Sequence, residues 1–224
     1  MYFSLRSPYS WLAHHDLTER APALLERLTR VPFWEPDEHT ARLLAEAGGE
    51  FPYVTMSRAK HLYVLHDVAL QAKARKLAVR WPVDRAPHWE VCHLAYLVAE
   101  RRGRGLAFIE LAYRARWIEG RDICAPAVVA DIAGAAGADP AECVAALEDP
   151  AVRAEGVAAL LSAHDTGVFG VPFFVTGYRK FWGVDRLPGF FDALGEGSGP
   201  GPVGGAPAAA GARGADHGHA GGCG

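Results

Sequence analysis

The stretch MYFSLRSPYSWLA (residues 1–13) decides how the rest of the chain is interpreted. A short β-type run ends at a turn in which Pro8 follows Ser7. Proline suits the first turn of a helix, because the N–H group that it lacks would have no partner there. An apolar stripe at helical spacing continues to about Leu28 and is interrupted at Pro22, which predicts a kinked or split helix. A helix is therefore predicted to begin directly after the first strand.

Strand-like segments also lie at 31–34, 168–175 and 180–183, and the last two are joined by a turn at Gly177. A short final helix is predicted from Asp185, as its N-cap, to Leu194. The chain between the second and third strands has helical periodicity almost throughout. Its helices are predicted at about 39–49, 57–77, 88–102, 105–119, 125–135 and 139–164, the last of them split near Pro150.

The order β-α-β, then an all-α block, then β-β-α predicts an α/β protein with a thioredoxin-like fold and a large all-α insertion. We divide the chain accordingly. Residues 1–38 and 166–195 form the thioredoxin-like domain, and residues 39–165 form the helical insertion domain. Residues 196–224 are a Gly/Ala-rich tail without hydrophobic periodicity, which we predict to be disordered.

Composition excludes several classes of function. The formal net charge is −3 and no long basic run occurs, which argues against nucleic acid as a partner. No stretch approaches the roughly 20 apolar residues of a membrane span. The first residues lack the pattern of a signal peptide. The four cysteines never form a C-x-x-C pair. We therefore expect a cytoplasmic protein without a disulfide framework, a membrane contact or a nucleic-acid partner.

Two short motifs carry candidate chemistry. Ser7 lies at a helix N-terminus, where it would either cap the helix or donate its hydroxyl to a substrate thiolate. A hydroxyl cannot cycle through disulfides, so redox turnover is excluded at this position. Pro172 stands inside a strand-like segment, which predicts either a cis peptide after Val171 or an ordinary edge-strand proline. A cis peptide would leave the Val171 backbone free to pair with an extended ligand.

These motifs point to a family. Residues 2–13 (YFSLRSPYSWLA) closely resemble the opening of kappa-class glutathione transferases and bacterial 2-hydroxychromene-2-carboxylate isomerases, within the DsbA-like thioredoxin superfamily. GVFGVPF (residues 167–173) followed by FWGVDRL (residues 181–187) resembles a second signature of the same family. The resemblance extends over about residues 1–194.

The resemblance implies roles for individual residues. Ser7 would stabilise the thiolate of glutathione, or of another low-molecular-weight thiol. Val171, beside Pro172, would pair with the cysteinyl part of glutathione. Asp185, with the Val184 backbone, would hold the γ-glutamyl ammonium group as a charge-assisted pair.

Further residues complete the predicted site. Lys60 would lie near the glycyl carboxylate of glutathione. Aromatic side chains would line a flat pocket for an aromatic or enone substrate. These aromatic residues are Tyr9, Trp11, Trp34, Tyr53 and Trp182.

Three functions remain open at this point. The first is a thiol-dependent cis–trans or ring-opening isomerase, and the second is a kappa-like glutathione transferase; for either, the resemblance makes a homodimer possible. The third is a non-catalytic protein that binds a metal or a partner through its tail. The only metal-ligand candidates that the pattern indicates are in that tail: His217, His219 and Cys223.

Overall fold

Four short strands form one sheet in the computed structural model, which describes residues 1–52 and 55–195. The strands are β1 (Tyr2–Phe3), β2 (Val31–Pro32), β3 (Phe173–Thr176) and β4 (Arg179–Trp182). Their order is β2-β1-β3-β4, with β1 parallel to β2 and antiparallel to β3, and β3 antiparallel to β4. Tyr2 is paired with both Val31 and Phe173, so the opening residues of the chain lie in the middle of the sheet.

The helix after β1 is split where the sequence predicts. Helix α1 (Pro8–Arg20) ends before Ala21, and α2 (Pro22–Arg27) begins at the proline. Pro22 lacks the N–H group that would continue α1.

The predicted all-α block is present between β2 and β3. It consists of α3 (Glu38–Glu46), α4 (Arg58–Ala74), α5 (Glu90–Arg101), α6 (Gly105–Tyr113), α7 (Pro126–Ala136), α8 (Pro140–Ala145) and α9 (Pro150–Thr166). A π-helical turn (Arg114–Ile118) extends α6, and a 3-10 turn (Ala146–Glu148) separates α8 from α9. Together with α10 (Leu187–Leu194) after β4, these elements confirm the predicted order and the α/β fold class.

Local signals in the sequence set many of these helix ends. The side chains of Asp37, Ser57, Asp139 and Asp149 accept hydrogen bonds from first-turn N–H groups of α3, α4, α8 and α9. Proline at the start of α7, α8 and α9 needs no N–H partner there.

Helix α5 joins the sheet to the helical block. Its residues are buried on nearly all sides, as expected for a helix in the interior of a domain. The Tyr96 ring meets Phe3 of β1 edge-on, with the ring centroids 5.1 Å apart. The Tyr96 hydroxyl donates to the Arg30 carbonyl at 3.1 Å, just before β2. This packing brings the N-terminal half of α5 to the end of β1.

One predicted helix start is wrong. Asp185 does not cap α10, which begins at Leu187 after a 3-10 turn (Val184–Arg186). The Asp185 side chain is 72 % exposed and lies 3.5 Å from the Arg186 guanidinium. Its carboxylate is therefore exposed and does not cap α10.

Some predictions concern residues that the structure does not describe. The tail, 196–224, lies outside the described residues, as do its candidate ligands His217, His219 and Cys223. Within the described ranges, none of the helices combines the length and the apolar character that crossing a membrane requires.

Candidate active site

Ser7 lies at the junction of β1 and α1 and is fully buried. The backbone N–H of Ser10 donates to Ser7 Oγ at 3.2 Å, so the hydroxyl caps α1. Ser7 Oγ also donates to the carbonyl oxygen of Val171 at 3.4 Å. The hydroxyl thus joins the helix N-terminus to the segment before β3, and of its two predicted roles the capping role is present in the structure.

A buried histidine supports the turn that carries Ser7. The backbone N–H of Leu5 donates to His93 Nε2 at 3.1 Å, and Ser4 Oγ lies 3.3 Å from the same nitrogen. His93 Nδ1 donates to the Trp89 carbonyl at 2.7 Å, which places the proton of the neutral ring on Nδ1. Burial lowers the pKa of His93 to about 3. The ring therefore stays neutral at ordinary pH and remains an acceptor for the turn.

The carbonyl of Ser4 is a second support. It accepts hydrogen bonds from the Ser7 N–H and from the Tyr113 hydroxyl, each at 3.1 Å. The Ser4 N–H donates to Ser10 Oγ at 3.3 Å. The residues directly after β1, together with residues of α1, α5 and α6, therefore fix the position of Ser7.

A cavity of about 380 Å³ lies beside this turn, between α1, α4 and the segments that flank β3 and β4. Five of the predicted site residues line it: Tyr9, Val171, Trp182, Val184 and Asp185. Ser7 is behind this wall, in contact with Val171. The peptide between Val171 and Pro172 is cis, as predicted.

A glycine shapes the wall near Asp185. Gly183 has φ +104°, and a Cβ there would lie 2.5 Å from Asp185 Oδ1. Its N–H donates to the Pro172 carbonyl at 2.9 Å. Only glycine adopts this backbone without strain, so Gly183 allows the chain to leave β4 and present Asp185 at the cavity.

Helix α4 supplies a wall that the sequence analysis did not identify. Tyr63, Asp67 and Gln71 line the cavity. Asp67 Oδ2 accepts hydrogen bonds from the Tyr9 hydroxyl and from Gln71 Nε2, both at 2.8 Å. The three α4 residues are spaced by four and therefore share one helix face, which was the signal available in the sequence.

Two aromatic residues predicted for the pocket are not in it. Trp11 is 5 % exposed and stacks on Trp117, with the ring centroids 6.1 Å apart. Trp34 is 1 % exposed and stacks on His93 at 5.1 Å. Both predictions are wrong, because these side chains point from α1 and from the end of β2 into the core.

The predicted roles of two further candidates, Lys60 and Tyr53, stay predictions. Lys60 lies in the first turn of α4, where its N–H donates to Ser57 Oγ, and it is not among the residues that line the cavity. Its role toward a carboxylate stays a prediction. Tyr53 is outside the described residues.

Elsewhere in the described ranges, one group of side chains has metal-ligand character. Carboxylate and imidazole atoms of Asp37, His88 and Glu90 lie within 4.8 Å of one another. Asp37 is also paired with the Arg153 guanidinium at 3.1 Å and accepts from the Thr40 N–H at 2.7 Å. The group is thus part of an internal network that already contains a cation.

A β-α-β unit and a β-β-α unit in one sheet, with a helix N-terminus facing a cis-proline, define the thioredoxin class of fold. The chain belongs to the family of DsbA-like thioredoxin domains, whose model matches residues 1–195.

Solved structures have the same fold. A 2-hydroxychromene-2-carboxylate isomerase (HCCA isomerase) is 22 % identical with a TM-score of 0.68, over 87 % of this chain and 92 % of that one. A probable DsbA oxidoreductase from Streptomyces coelicolor is 22 % identical with a TM-score of 0.62, over 90 % of this chain and 92 % of that one. No match is found among curated proteins.

The residues at the start of α1 limit the chemistry of this site. Ser7 and Ser10 have hydroxyls, which cannot form a disulfide. The cysteines of the described ranges, Cys92, Cys124 and Cys143, are free and buried. Burial raises the pKa of the Cys92 thiol well above its usual value, which makes it a poor nucleophile. Within the described residues, the start of α1 therefore has no cysteine of its own for disulfide exchange.

Proposed function

We propose that this protein is an enzyme that isomerises a conjugated small molecule with the help of a low-molecular-weight thiol. The observation that carries the proposal is the position of the Ser7 hydroxyl, at a helix N-terminus and 3.4 Å from a carbonyl of the cavity wall. The fold shared with an HCCA isomerase supports an isomerase of this kind.

The Ser7 hydroxyl has a hydrogen that it could donate to a sulfur atom. A hydroxyl has one donor hydrogen and two acceptor lone pairs. The cap of α1 uses a lone pair, while the hydrogen is directed to Val171 O at 3.4 Å, longer than an ordinary O–H···O bond. A thiolate that enters beside Val171 would accept this hydrogen without disturbing the cap.

The end of α1 adds an electrostatic contribution. Helix N-termini carry unpaired N–H groups and a partial positive charge. A thiolate at such a position has a lowered pKa. Ser7 and α1 together would therefore supply a nucleophilic thiolate near neutral pH.

The reaction then follows from the chemistry of a thiolate and a conjugated alkene. The sulfur forms a bond to the electron-poor alkene carbon, and the alkene electron pair moves onto the conjugated carbonyl oxygen. The former double bond is now single and rotates. Return of the electron pair breaks the C–S bond, which releases the thiolate and leaves the other geometric isomer. A cyclic hemiketal enters this sequence after its ring C–O bond breaks and its hydroxyl proton passes to the ring oxygen, which gives the open-chain conjugated ketone.

Other cavity residues would hold the reactants. Asp185, with the Val184 backbone, would hold an ammonium group of the thiol, which the resemblance implies is glutathione. The rings of Tyr9 and Trp182 would contact a flat conjugated substrate.

The experiment is a measurement of isomerisation of 2-hydroxychromene-2-carboxylate, and of a cis-enone panel, against the concentration of added thiol. We expect a saturable requirement for the thiol, with no net thiol consumption. Consumption of one thiol per product would instead indicate the glutathione transferase reaction.

The variant Ser7→Ala tests whether the Ser7 hydroxyl activates the thiol. We expect a loss of thiol-dependent rate of about 10- to 100-fold, because one pKa unit corresponds to a factor of ten. Asp139→Ala, which removes the cap of α8, is the control. Each variant should lose about 1 kcal/mol of stability, and only Ser7→Ala should lose activity. A wild-type rate in Ser7→Ala would contradict the proposal.

A further inference from the structure

The charged side chains that line the cavity share the same sign of charge. Among the lining residues that fall within 1–52 and 55–195, Asp67 and Asp185 are the charged ones, and both are acidic. They approach from different elements, since Asp67 is on α4 and Asp185 follows β4. A ligand in this cavity therefore meets carboxylates on two sides.

Hydrogen bonds hold the Asp67 carboxylate at the cavity wall. Its Oδ2 accepts from both the Tyr9 hydroxyl and Gln71 Nε2. No residue in the described part of the chain donates to Oδ1. Oδ1 is thus the oxygen with capacity to accept a hydrogen bond from a ligand.

The nearby cations already have partners or lie farther along the helix. Arg75 makes two hydrogen bonds to the Asp16 carboxylate, at 2.6 and 2.7 Å. The Arg186 guanidinium lies 3.5 Å from Asp185 itself. Lys60 precedes Asp67 by two turns of α4 and does not line the cavity.

Charge complementarity then decides which ligand fits. A like charge placed opposite a carboxylate is strongly disfavoured, and amines and hydroxyls are favoured because they donate hydrogen bonds to it. Glutathione carries one ammonium group and two carboxylates, so it gains one favourable contact and brings two anionic groups.

We infer that the cavity selects a thiol that is rich in amine or hydroxyl donors and has no free carboxylate. This inference rests on the proposed function, since it names the class of thiol that the same site uses. Asp67 and Asp185 are the specificity-determining residues, Asp67 through Oδ1 and Asp185 through its exposed carboxylate.

The test compares four thiols in the isomerisation assay: cysteamine, 1-thio-β-D-glucose, 3-mercaptopropionate and glutathione. Rates are corrected for the fraction of each thiol that is ionised in solution. We expect kcat/KM for cysteamine and thioglucose to exceed that for mercaptopropionate by about tenfold or more, with glutathione below the two carboxylate-free thiols.

Charge-neutral variants test whether the Asp67 and Asp185 carboxylates cause this preference among thiols. Asp67→Asn and Asp185→Asn should each lower the preference for cysteamine over mercaptopropionate. Asp165→Asn is the control, because Asp165 is an exposed carboxylate on α9 that does not line the cavity. It should leave the preference unchanged.

Protection against thermal unfolding by the same thiols separates the two proposals. A preference for carboxylated thiols, unchanged in Asp67→Asn and Asp185→Asn, overturns the inference while a thiol-dependent turnover keeps the proposed function. Protection in the expected order without any turnover overturns the proposed function and supports the inference. Neither protection nor turnover with any of the four thiols overturns both.

Discussion

At the scale of single residues, the site depends on how few hydrogen bonds a hydroxyl can make. Ser7 Oγ caps α1 with a lone pair and keeps its hydrogen on a long contact to Val171 O. A cysteine there would be a nucleophile in its own right. A serine instead provides a hydrogen-bond donor without a sulfur atom, so in the proposed function the thiol comes from outside the protein.

His93 gives the protein a pH dependence of stability that is measurable. Burial lowers its pKa to about 3, and burial likewise lowers the pKa of His14 to about 4. In the unfolded chain histidine has a pKa of about 6.5. Below that pH the unfolded state binds protons that the folded state does not, so stability is greatest above pH 6.5 and falls as the pH decreases.

We expect a loss of about 1 kcal/mol per pH unit for each of these histidines as the pH falls from about 6.5 to 5. Urea unfolding at pH 7 and pH 5 measures it. His93→Gln should show a smaller difference between the two pH values than the wild type. His39→Gln, at an exposed position, is the control. An unchanged pH difference in His93→Gln would contradict this explanation.

Residue types alone could predict part of the candidate site. The two motif blocks contain Tyr9, Val171, Trp182, Val184 and Asp185, and the structure brings these five residues to one cavity, while their roles stay predictions. The same reasoning misplaced Trp11 and Trp34, because an aromatic side chain suits a pocket and a core equally well. Which of the two it enters depends on the direction of the side chain, which packing decides.

At the scale of secondary structure, α4 shows why the other residues of the cavity wall were not predicted. Its helical pattern was predicted over 57–77, and α4 covers Arg58–Ala74. The face that carries Tyr63, Asp67 and Gln71 lines the cavity because α4 packs beside α1. The spacing by four shows that these residues share a face, but the partner of that face depends on a contact between residues far apart in sequence.

The packing around Gly156 of α9 and Gly134 of α7 predicts opposite effects of alanine on stability. A Cβ at Gly156 would lie 2.8 Å from Leu94 Cδ2 of α5 and 3.1 Å from the Trp34 ring. Among the residues that the structure describes, a Cβ at Gly134 of α7 would meet only Pro140, at 3.5 Å. Alanine favours a helix over glycine by about 1 kcal/mol, while overpacking a core costs about 1–3 kcal/mol.

Gly134→Ala should therefore raise the free energy of unfolding by up to about 1 kcal/mol. Gly156→Ala should lower it, since the crowding exceeds the gain in helix propensity. Urea unfolding of the two variants beside the wild type measures the difference. Equal stabilisation by both substitutions would show that α5 and the end of β2 adjust without cost.

At the scale of the whole molecule, the order of elements could be predicted because strands and helices differ in their period along the sequence. The predicted starts at 125 and 139 lie within one residue of the starts of α7 and α8, and the predicted split near Pro150 is where α9 begins. The central place of α5 could not be foreseen, because a local sequence pattern does not show which distant elements a helix packs against. It is nevertheless α5 that brings His93 to the turn before Ser7.

The tail offers a test of the non-catalytic alternative. The family match and the described structure end together at residue 195. A chain truncated after residue 195 should keep the thiol-dependent rate and the melting temperature of the full chain. A loss of function on truncation, with the same melting temperature, would favour a role for His217, His219 and Cys223.

In the proposed function, Ser7 and the N-terminus of α1 lower the pKa of a bound thiol. The pH dependence of kcat at saturating thiol tests it most directly, since kcat reports the pKa of groups in the bound complex. We expect the rate of the wild type to rise with a pKa at least one unit below that of the free thiol. In Ser7→Ala this pKa should move back toward the free value. A pKa equal to that of the free thiol in both proteins would contradict the account.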